Sequence, residues 1–377
     1  MFRITLATLL VVVVPQVSHA QDFFYPPPAP GTVTATRDVL YDESGSTQLR
    51  MDVYRHAKSS GTAPALIFFN QAVGARRTAF TMYARWGELA AAKGLVAIVP
   101  DLRPDSSAAD FRLLVAHLTS RAANYGIDRD AIAVYAGSGF VSTALPIVED
   151  PANTAVKAAV MFYGTAHVKV FRQDLPLMIV RAGLDRPAVN AEIAALAAAA
   201  LAQNAPITLL NHPAGAHSFE TANDDAATKA VMDQAIDFVK RATSATYQSA
   251  LRAGLPEATA AGLVSSGNWK AATAAYAQLV ASSPADARVR LSYGEALLGD
   301  GQFAAACDEF EKLKGKGLGP RDLGLPAARA CAQHSDADRA IAWLQSIPSR
   351  FLPLDAQKDT AFASLQNRSD FQALFKR

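Results

Sequence analysis

Apolar runs that alternate with helical segments between residues 65 and 241 restrict the fold of this chain most strongly. The runs occupy residues 65–70, 95–100, 131–136, 156–163, 175–181 and 207–211. Strands that are apolar on both sides are typical of a parallel sheet with helices on both faces. Two strand-like segments, residues 36–41 and 48–54, precede them in a hairpin pattern. We therefore predict an α/β domain with a mostly parallel sheet over residues 36–245, with functional sites beyond the carboxyl ends of its strands.

The first 20 residues have the pattern of a secretory signal peptide. Arg3 precedes an apolar run, residues 6–14, that is too short to span a bilayer. Small residues stand before a cleavage point after Ala20, and an uncleaved membrane anchor is the alternative. We expect a soluble mature protein, periplasmic or secreted, with no stable membrane anchor. It begins with a proline-rich lead-in over residues 21–35.

Composition argues against a nucleic-acid partner and leaves the state of the cysteines open. The formal net charge is +2 over 377 residues, and no basic cluster is present. This length favours two domains. Cys307 and Cys331 are the only cysteines. They form either a disulfide, in an oxidising compartment, or two small core positions on packed helices. The sequence has no Cys/His cluster of the kind that holds a metal ion.

A period of 34 residues begins near residue 256, where the strand pattern has ended. Small residues recur at Ala272, Ala306 and Ala340, and large ones recur at Tyr276, Phe310 and Leu344. Small residues let paired helices approach closely, and the large residues fill the groove between them. We predict a helical domain over residues 250–377, with residues 362–375 as its cap. The pattern resembles the tetratricopeptide repeat, which implies a protein or peptide partner. A plain helical bundle with a chance period is the alternative.

Ser138 lies between two glycines at the end of an apolar strand. The preceding residues 132–135 are β-branched, small or aromatic, and a helical pattern follows from Val141. A sharp strand-to-helix turn of this kind admits only small residues around the serine and exposes its hydroxyl. The segment therefore predicts a nucleophile elbow, with Ser138 as the nucleophile.

A serine hydroxyl needs a base and a group that orients the base. His217 is the candidate base because it follows a strand in a glycine-containing loop. Asp185 is the candidate orienting acid because it lies in a turn after the strand at residues 177–181, although it could instead cap the helix that starts near Pro187. His167 either lines the pocket or lies in a surface loop.

A tetrahedral intermediate also needs N–H donors for its negative oxygen. The backbone N–H of Gly139 is one candidate, at the start of the helix after the elbow. The second is expected from the loop after the first inner strand, from Gln71 in preference to Ala72. Arg76 and Arg77 follow that loop, where they either attract a substrate carboxylate or are solvated charges of a first helical turn.

The elbow, the turn at residues 183–185 and the segment Gly-Ala-His-Ser-Phe-Glu at 215–220 resemble the α/β-hydrolase superfamily. The last segment is most similar to dienelactone hydrolases and related small esterases, and the resemblance covers about residues 36–243. It implies a serine carboxylic-ester hydrolase that uses no metal and no organic cofactor. The dienelactone enzymes use a cysteine nucleophile, so Ser138 favours the esterase side of the group. A small ester or lactone is the expected substrate.

Two features depart from the pattern of that group. Phe140 stands where a small residue is usual, two places after the nucleophile, and residues 70–73 replace a glycine-rich segment. They motivate an alternative function, a catalytically impaired hydrolase fold that binds or assembles partners through its helical repeats. A peptidase of the same superfamily is a third possibility.

Overall fold

The computed structural model describes residues 23–45, 47–79 and 81–376, so the predicted signal peptide lies outside the described residues. The described residues contain one sheet of eight strands. The strands are β1 (Val33–Asp42), β2 (Leu49–His56), β3 (Ala63–Phe68), β4 (Val96–Pro100), β5 (Ile127–Gly137), β6 (Val156–Phe162), β7 (Leu177–Ala182) and β8 (Ile207–His212).

The strand order is β1-β2-β4-β3-β5-β6-β7-β8. β1 pairs with β2, and β2 with β4, in antiparallel fashion, whereas all other pairs are parallel. The carboxyl ends of β3 to β8 therefore meet at one edge of the sheet, the carboxyl edge, and their starts define the opposite, amino edge. This arrangement confirms the predicted mostly parallel sheet.

Helices cover both faces of the sheet, as predicted. They are α1 (Ala75–Ala79), α2 (Thr81–Ala92), α3 (Ser107–Ser120), α4 (Ala122–Tyr125), α5 (Val141–Glu149), α6 (Pro187–Ala202), α7 (Phe219–Ala222) and α8 (Ala226–Ala242). One core forms where α3, α5 and α6 pack on the sheet, and a second forms under α2 and α8. Local sequence sets the ends of these helices: α6 starts at a proline, and the Asp225 carboxylate accepts from the Thr228 N–H at 2.7 Å at the start of α8.

Helices make up most of the chain after α8. They are α9 (Ala245–Ser265), α10 (Trp269–Ser282), α11 (Ala287–Gly299), α12 (Phe303–Glu311), α13 (Pro320–Gln333), α14 (Ala337–Ser346) and α15 (Ser369–Ala373). α10, α12 and α14 start 34 residues apart, which matches the period of the sequence. Ala272, Ala306 and Ala340 are completely buried, as the close approach of paired helices requires. Phe362 and Phe371 of the tail are buried in the same core as α12 to α14.

A disulfide joins Cys307 of α12 to Cys331 of α13, which resolves the open alternative for the two cysteines. The bond links neighbouring helices across a sequence separation of 24 residues. It therefore closes a loop within the helical region and leaves the sheet domain untouched.

The start of the described chain packs more closely than an extended lead-in would. The Phe23 ring lies 5.7 Å from the Trp86 ring, and the Tyr25 hydroxyl donates to Asp233 at 2.8 Å. α9 runs through residue 250, so the helical region begins directly after α8. In the part of the chain that the structure describes, no helix has the length and apolar character needed to cross a membrane.

α9 packs against the amino edge of the sheet domain. The Asn204 amide donates to the Ala258 carbonyl at 3.0 Å, and the Gln248 amide donates to the Lys157 carbonyl at 3.1 Å. Asn204 precedes β8, and Lys157 is the second residue of β6. The helical region thus docks at the edge opposite the carboxyl ends of the strands.

Candidate active site

Ser138 occupies a strained position directly after β5. Its φ is 56°, in the left-handed region that non-glycine residues rarely adopt. Residues 138–140 form a single 3-10 turn, and α5 follows at Val141. Gly164 makes room for this turn, because a Cβ there would lie 2.3 Å from the Ser138 carbonyl oxygen. The local geometry is that of the predicted elbow.

The structure brings Ser138, His217 and Asp185 together at the carboxyl edge. The Ser138 Oγ lies 2.7 Å from the His217 Nε2, and the His217 Nδ1 lies 2.6 Å from the Asp185 Oδ2. The Asp185 side chain is only 1% exposed, whereas the His217 side chain is 33% exposed. The base is therefore reachable from solvent, while the carboxylate behind it is shielded.

This chain of hydrogen bonds suits proton transfer from a hydroxyl. The imidazole can take the proton of Ser138 at Nε2 only if Nδ1 carries a hydrogen, and Asp185 accepts that hydrogen. The second oxygen of Asp185 accepts from the Arg186 N–H at 2.7 Å, which fixes the carboxylate in its turn. The arrangement can activate Ser138 for attack on an acyl carbon.

Asp185 does not cap α6 with its side chain. The residue at the N-cap of α6 is Arg186, and no side chain supplies a cap hydrogen bond there. The turn is instead held by Asn190, whose amide donates to the carbonyls of Gly183 and Asp185 at 3.3 Å each. Sequence reasoning missed Asn190, because a polar residue one turn inside a helix gives no signal of its own.

The structure separates the two candidates for the second oxyanion donor. The Ala72 N–H donates to the Asn70 side-chain oxygen at 3.1 Å, so it is not free for a substrate oxygen. The prediction that Ala72 could be the second oxyanion donor is therefore wrong. Among the described residues the Gln71 N–H has no hydrogen-bond acceptor, and the Gln71 side chain is tied to Ser107 at 3.2 Å. Gln71 and Gly139 remain the candidate pair.

Arg77 is part of the framework and cannot reach a substrate. Its guanidinium is almost completely buried and pairs with three carboxylates, those of Asp38 at 2.6 Å, Asp52 at 2.7 Å and Asp101 at 2.7 Å. Asp101 also accepts from the Gly74 N–H at 2.8 Å, so the network holds the loop after β3 in place. Both roles considered for Arg77, a substrate contact and a solvated charge, are wrong. Arg76 is exposed.

The other histidines near strand ends have no part in this chain of hydrogen bonds. His167 is exposed in the loop after β6. His212 is buried at the end of β8 and contacts the Thr228 hydroxyl at 2.9 Å. Phe140 packs partly buried between both cores of the sheet domain, which shows how the elbow accommodates a bulky residue.

Comparisons with known proteins find likenesses among solved structures. No family model and no curated protein matches the chain. Among solved structures the chain is similar to brefeldin A esterase, a bacterial homologue of human hormone-sensitive lipase, at 12% identity and a TM-score of 0.49, over 59% of this chain and 81% of that chain. It is similar to a bacterial heroin esterase at 13% identity and a TM-score of 0.45, over 57% and 86%. It is also similar to the thermophilic esterase Est2 of the planctomycete Thermogutta terrifontis at 18% identity and a TM-score of 0.43, over 56% and 93%.

Proposed function

We propose that the protein is a serine hydrolase that cleaves a small carboxylic ester or lactone through an acyl-enzyme. The unbroken chain of hydrogen bonds from Ser138 through His217 to Asp185 carries this proposal. It combines a nucleophile, a base and a buried orienting carboxylate in the order that acyl transfer requires.

In this mechanism the Ser138 oxygen attacks the carbonyl carbon while its proton passes to the His217 Nε2. The resulting imidazolium is stabilised by Asp185, and the N–H groups of Gly139 and Gln71 face the negative oxygen. The imidazolium then protonates the leaving alcohol, which leaves the acyl group on Ser138. Water attacks that ester, His217 takes a proton from the water and returns it to Ser138, and the acid is released.

The shape of the site supports a small substrate. Ser138 and His217 are partly exposed, and the described segment between β6 and β7, residues 163–176, contains no helix or strand that would form a lid. The helical region docks at the amino edge. Substrate therefore meets the site from solvent, without passing the helical region.

We also propose that the protein is exported to the periplasm or secreted. The signal-peptide pattern of residues 1–20 supports this, and so does the disulfide between Cys307 and Cys331, since such bonds persist in oxidising compartments. Chain-end sequencing of the protein purified from cells that express the full gene tests export. We expect a mature chain that begins at Gln21, and an intact chain retained in the cytoplasm would contradict the proposal.

The test of the activity is a panel of short-chain nitrophenyl esters and simple lactones. We expect turnover by the wild type and a loss of about 10³-fold or more in Ser138→Ala and His217→Ala. Ser142→Ala is the matched control, because Ser142 is exposed on α5 and donates only to the Gly139 carbonyl. Equal rates for the wild type and Ser138→Ala would exclude the mechanism.

A partner-binding role for the helical region is a second candidate function. The observation that favours it is the docking of α9 at the amino edge, because repeats placed there do not complete the active site. We propose that the tetratricopeptide-like region binds a protein or peptide partner in either case. An impaired hydrolase that acts only by binding would show no turnover on the panel, whereas turnover abolished by His217→Ala would exclude that alternative.

A further inference from the structure

Glu220 is a completely buried carboxyl group three residues after His217. Its Oε1 accepts hydrogen bonds from the Tyr163 hydroxyl at 2.5 Å, the Tyr135 hydroxyl at 3.0 Å and the Trp86 Nε1 at 3.4 Å. Its Oε2 is buried with no partner among the described residues. A buried carboxyl group with one unpaired oxygen costs free energy, so its presence here requires an explanation.

The three donors belong to three different elements. Tyr135 lies in β5, three residues before Ser138, and Tyr163 follows β6 directly. Trp86 belongs to α2. Glu220 therefore joins the segment that carries His217 to the strand that carries Ser138. The single oxygen Oε1 thus contacts β5 before the nucleophile, the residue after β6 and α2.

The Tyr163 ring also contacts the imidazole of His217. Its ring centroid lies 4.9 Å from that of His217, with an interplanar angle of 59°. Tyr163 has a φ of 35° and Ser218, next to His217, has a φ of 55°, so the backbone on both sides of the contact is strained. The hydroxyl of Tyr163 is held by Glu220, and the imidazole is thus confined between Tyr163 and Asp185.

Among the described residues no cationic side chain forms an ion pair with Glu220, whose hydrogen bonds come from Tyr163, Tyr135 and Trp86. Burial raises the pKa of Glu220, and the hydrogen bonds from Tyr163, Tyr135 and Trp86 oppose that shift. The titratable groups that face it are Tyr135, Tyr163 and Tyr83, and burial raises the pKa of each of them. The junction therefore consists of two tyrosine hydroxyls and one indole N–H on a single carboxyl oxygen.

We propose that Glu220 is a positioning residue that acts through Tyr163 to hold His217 against Ser138. The proposal rests on the proposed hydrolase function. Glu220 touches neither substrate nor the reacting atoms in this scheme. Its contribution is to the rate of the chemical step, and substrate binding does not depend on it.

The experiment compares Glu220→Leu, Glu220→Gln, Tyr163→Phe and Tyr135→Phe on the full chain with a nitrophenyl ester that the wild type hydrolyses. We expect Glu220→Leu to lower kcat about 30-fold and Tyr163→Phe about 10-fold, with KM within about twofold of the wild type, since misplacement of a catalytic group affects the chemical step. Glu220→Gln keeps an acceptor oxygen and should restore kcat to within about threefold of the wild type.

Tyr135→Phe is the matched control. It removes a hydroxyl that donates to the same Glu220 oxygen, but among the described ring contacts of Tyr135 none is with His217. We expect its kcat within about threefold of the wild type even though it also loses a buried hydrogen bond. Equal losses in Tyr135→Phe and Tyr163→Phe would overturn the proposal, as would a Tyr163→Phe variant with the wild-type kcat.

The set of variants distinguishes a failure of the positioning role from a variant that does not fold and from a failure of the hydrolase mechanism. If Glu220→Leu does not fold, the comparison of Tyr163→Phe with Tyr135→Phe decides alone. If the wild type and Ser138→Ala are equally active, the proposed hydrolase mechanism fails, whatever the Glu220 variants do. If Ser138→Ala is inactive and Tyr163→Phe is unaffected, only the positioning role fails.

Discussion

The two edges of the sheet differ in backbone strain. At the carboxyl edge three non-glycine residues, Ser138, Tyr163 and Ser218, have positive φ values, and a buried glutamate carries an unpaired oxygen. At the amino edge Asn204 has a positive φ and contacts the helical region, and asparagine is a residue type that tolerates this conformation. Strain therefore concentrates where the candidate chemistry lies, and ordinary packing joins the two regions elsewhere.

This contrast implies that the two edges respond separately to mutation. Sites that are well separated and share no partners usually contribute additively to stability and activity. Changes to Ser138, His217 and Asp185 at the carboxyl edge should alter the rate with small effects on unfolding. Changes at the amino edge and in the helical region should alter stability and leave the rate unchanged.

The largest effect is expected from Asp185→Asn. Loss of the carboxylate that holds the His217 tautomer should lower kcat by about 10³–10⁴-fold. Asp174→Asn is the matched control, because Asp174 precedes β7 at the amino edge and pairs with Arg172 at 2.9 Å. Steady-state kinetics on one ester distinguishes them. Comparable activity losses in both variants would contradict the claim that the two edges respond separately to mutation.

Removal of the disulfide tests the helical region. Replacing Cys307 and Cys331 by serine opens a loop of 24 residues and should cost about 3 kcal/mol of stability in that region. Urea unfolding followed by circular dichroism measures the loss, and ester turnover below the transition should stay at the wild-type rate. A matching loss of activity would show that the helical region supports the site.

Glu149, near the amino edge, should make the stability of the folded protein depend on pH. It ends α5, and burial raises its pKa from 4.5 to about 7 although the Arg172 N–H donates to it at 2.7 Å. Between these values the folded state keeps a proton that the unfolded state has released, so stability falls as pH rises through this window. The loss is complete above about pH 7 and amounts to about 3 kcal/mol.

Glu149→Gln removes this titration and keeps an acceptor for Arg172. We expect the variant to melt at a higher temperature than the wild type at pH 8 and to match it near pH 4.5. Thermal unfolding at the two pH values measures the difference. A variant that is no more stable than the wild type at pH 8 would contradict the assignment.

The smallest effect is expected at the contact between α9 and the sheet domain. A Cβ at Gly262 would lie 2.6 Å from the Gln203 carbonyl oxygen, so Gly262→Ala must displace backbone and should cost about 1 kcal/mol after the gain in helix propensity. Gly254→Ala in the same helix meets no atom within 4 Å and should be stabilising by up to about 1 kcal/mol. Equal melting temperatures for the two variants would show that α9 does not pack closely here.

The sequence allowed prediction of the elements and of the edge at which the candidate site forms. Ser138, Asp185 and His217 each follow a strand, and parallel strands bring their carboxyl ends together. The role of Arg77 was not predictable, because the sequence does not show that the helix after β3 packs against Asp38 of β1 and Asp52 of β2. The role of Asn70 was not predictable either, because its side-chain oxygen accepts a hydrogen bond from the Ala72 N–H only in this loop conformation.

Neither the contacts of Glu220 nor the disulfide between Cys307 and Cys331 could be predicted from the sequence. The environment of Glu220 depends on Tyr135 of β5 and on Tyr163 directly after β6, which lie 85 and 57 residues away along the chain. The bond between Cys307 and Cys331 depends on how α12 and α13 are rotated against each other, which a helical period alone does not determine.

Active-site labelling tests the central claim most directly. A fluorophosphonate reacts with a serine only where a base activates the hydroxyl, so the intact protein is treated with the probe and the adduct is located by peptide mass spectrometry. The account predicts one adduct, on Ser138, that disappears in Ser138→Ala and forms far more slowly in His217→Ala. An unlabelled wild type, or equal labelling of the wild type and Ser138→Ala, would contradict it.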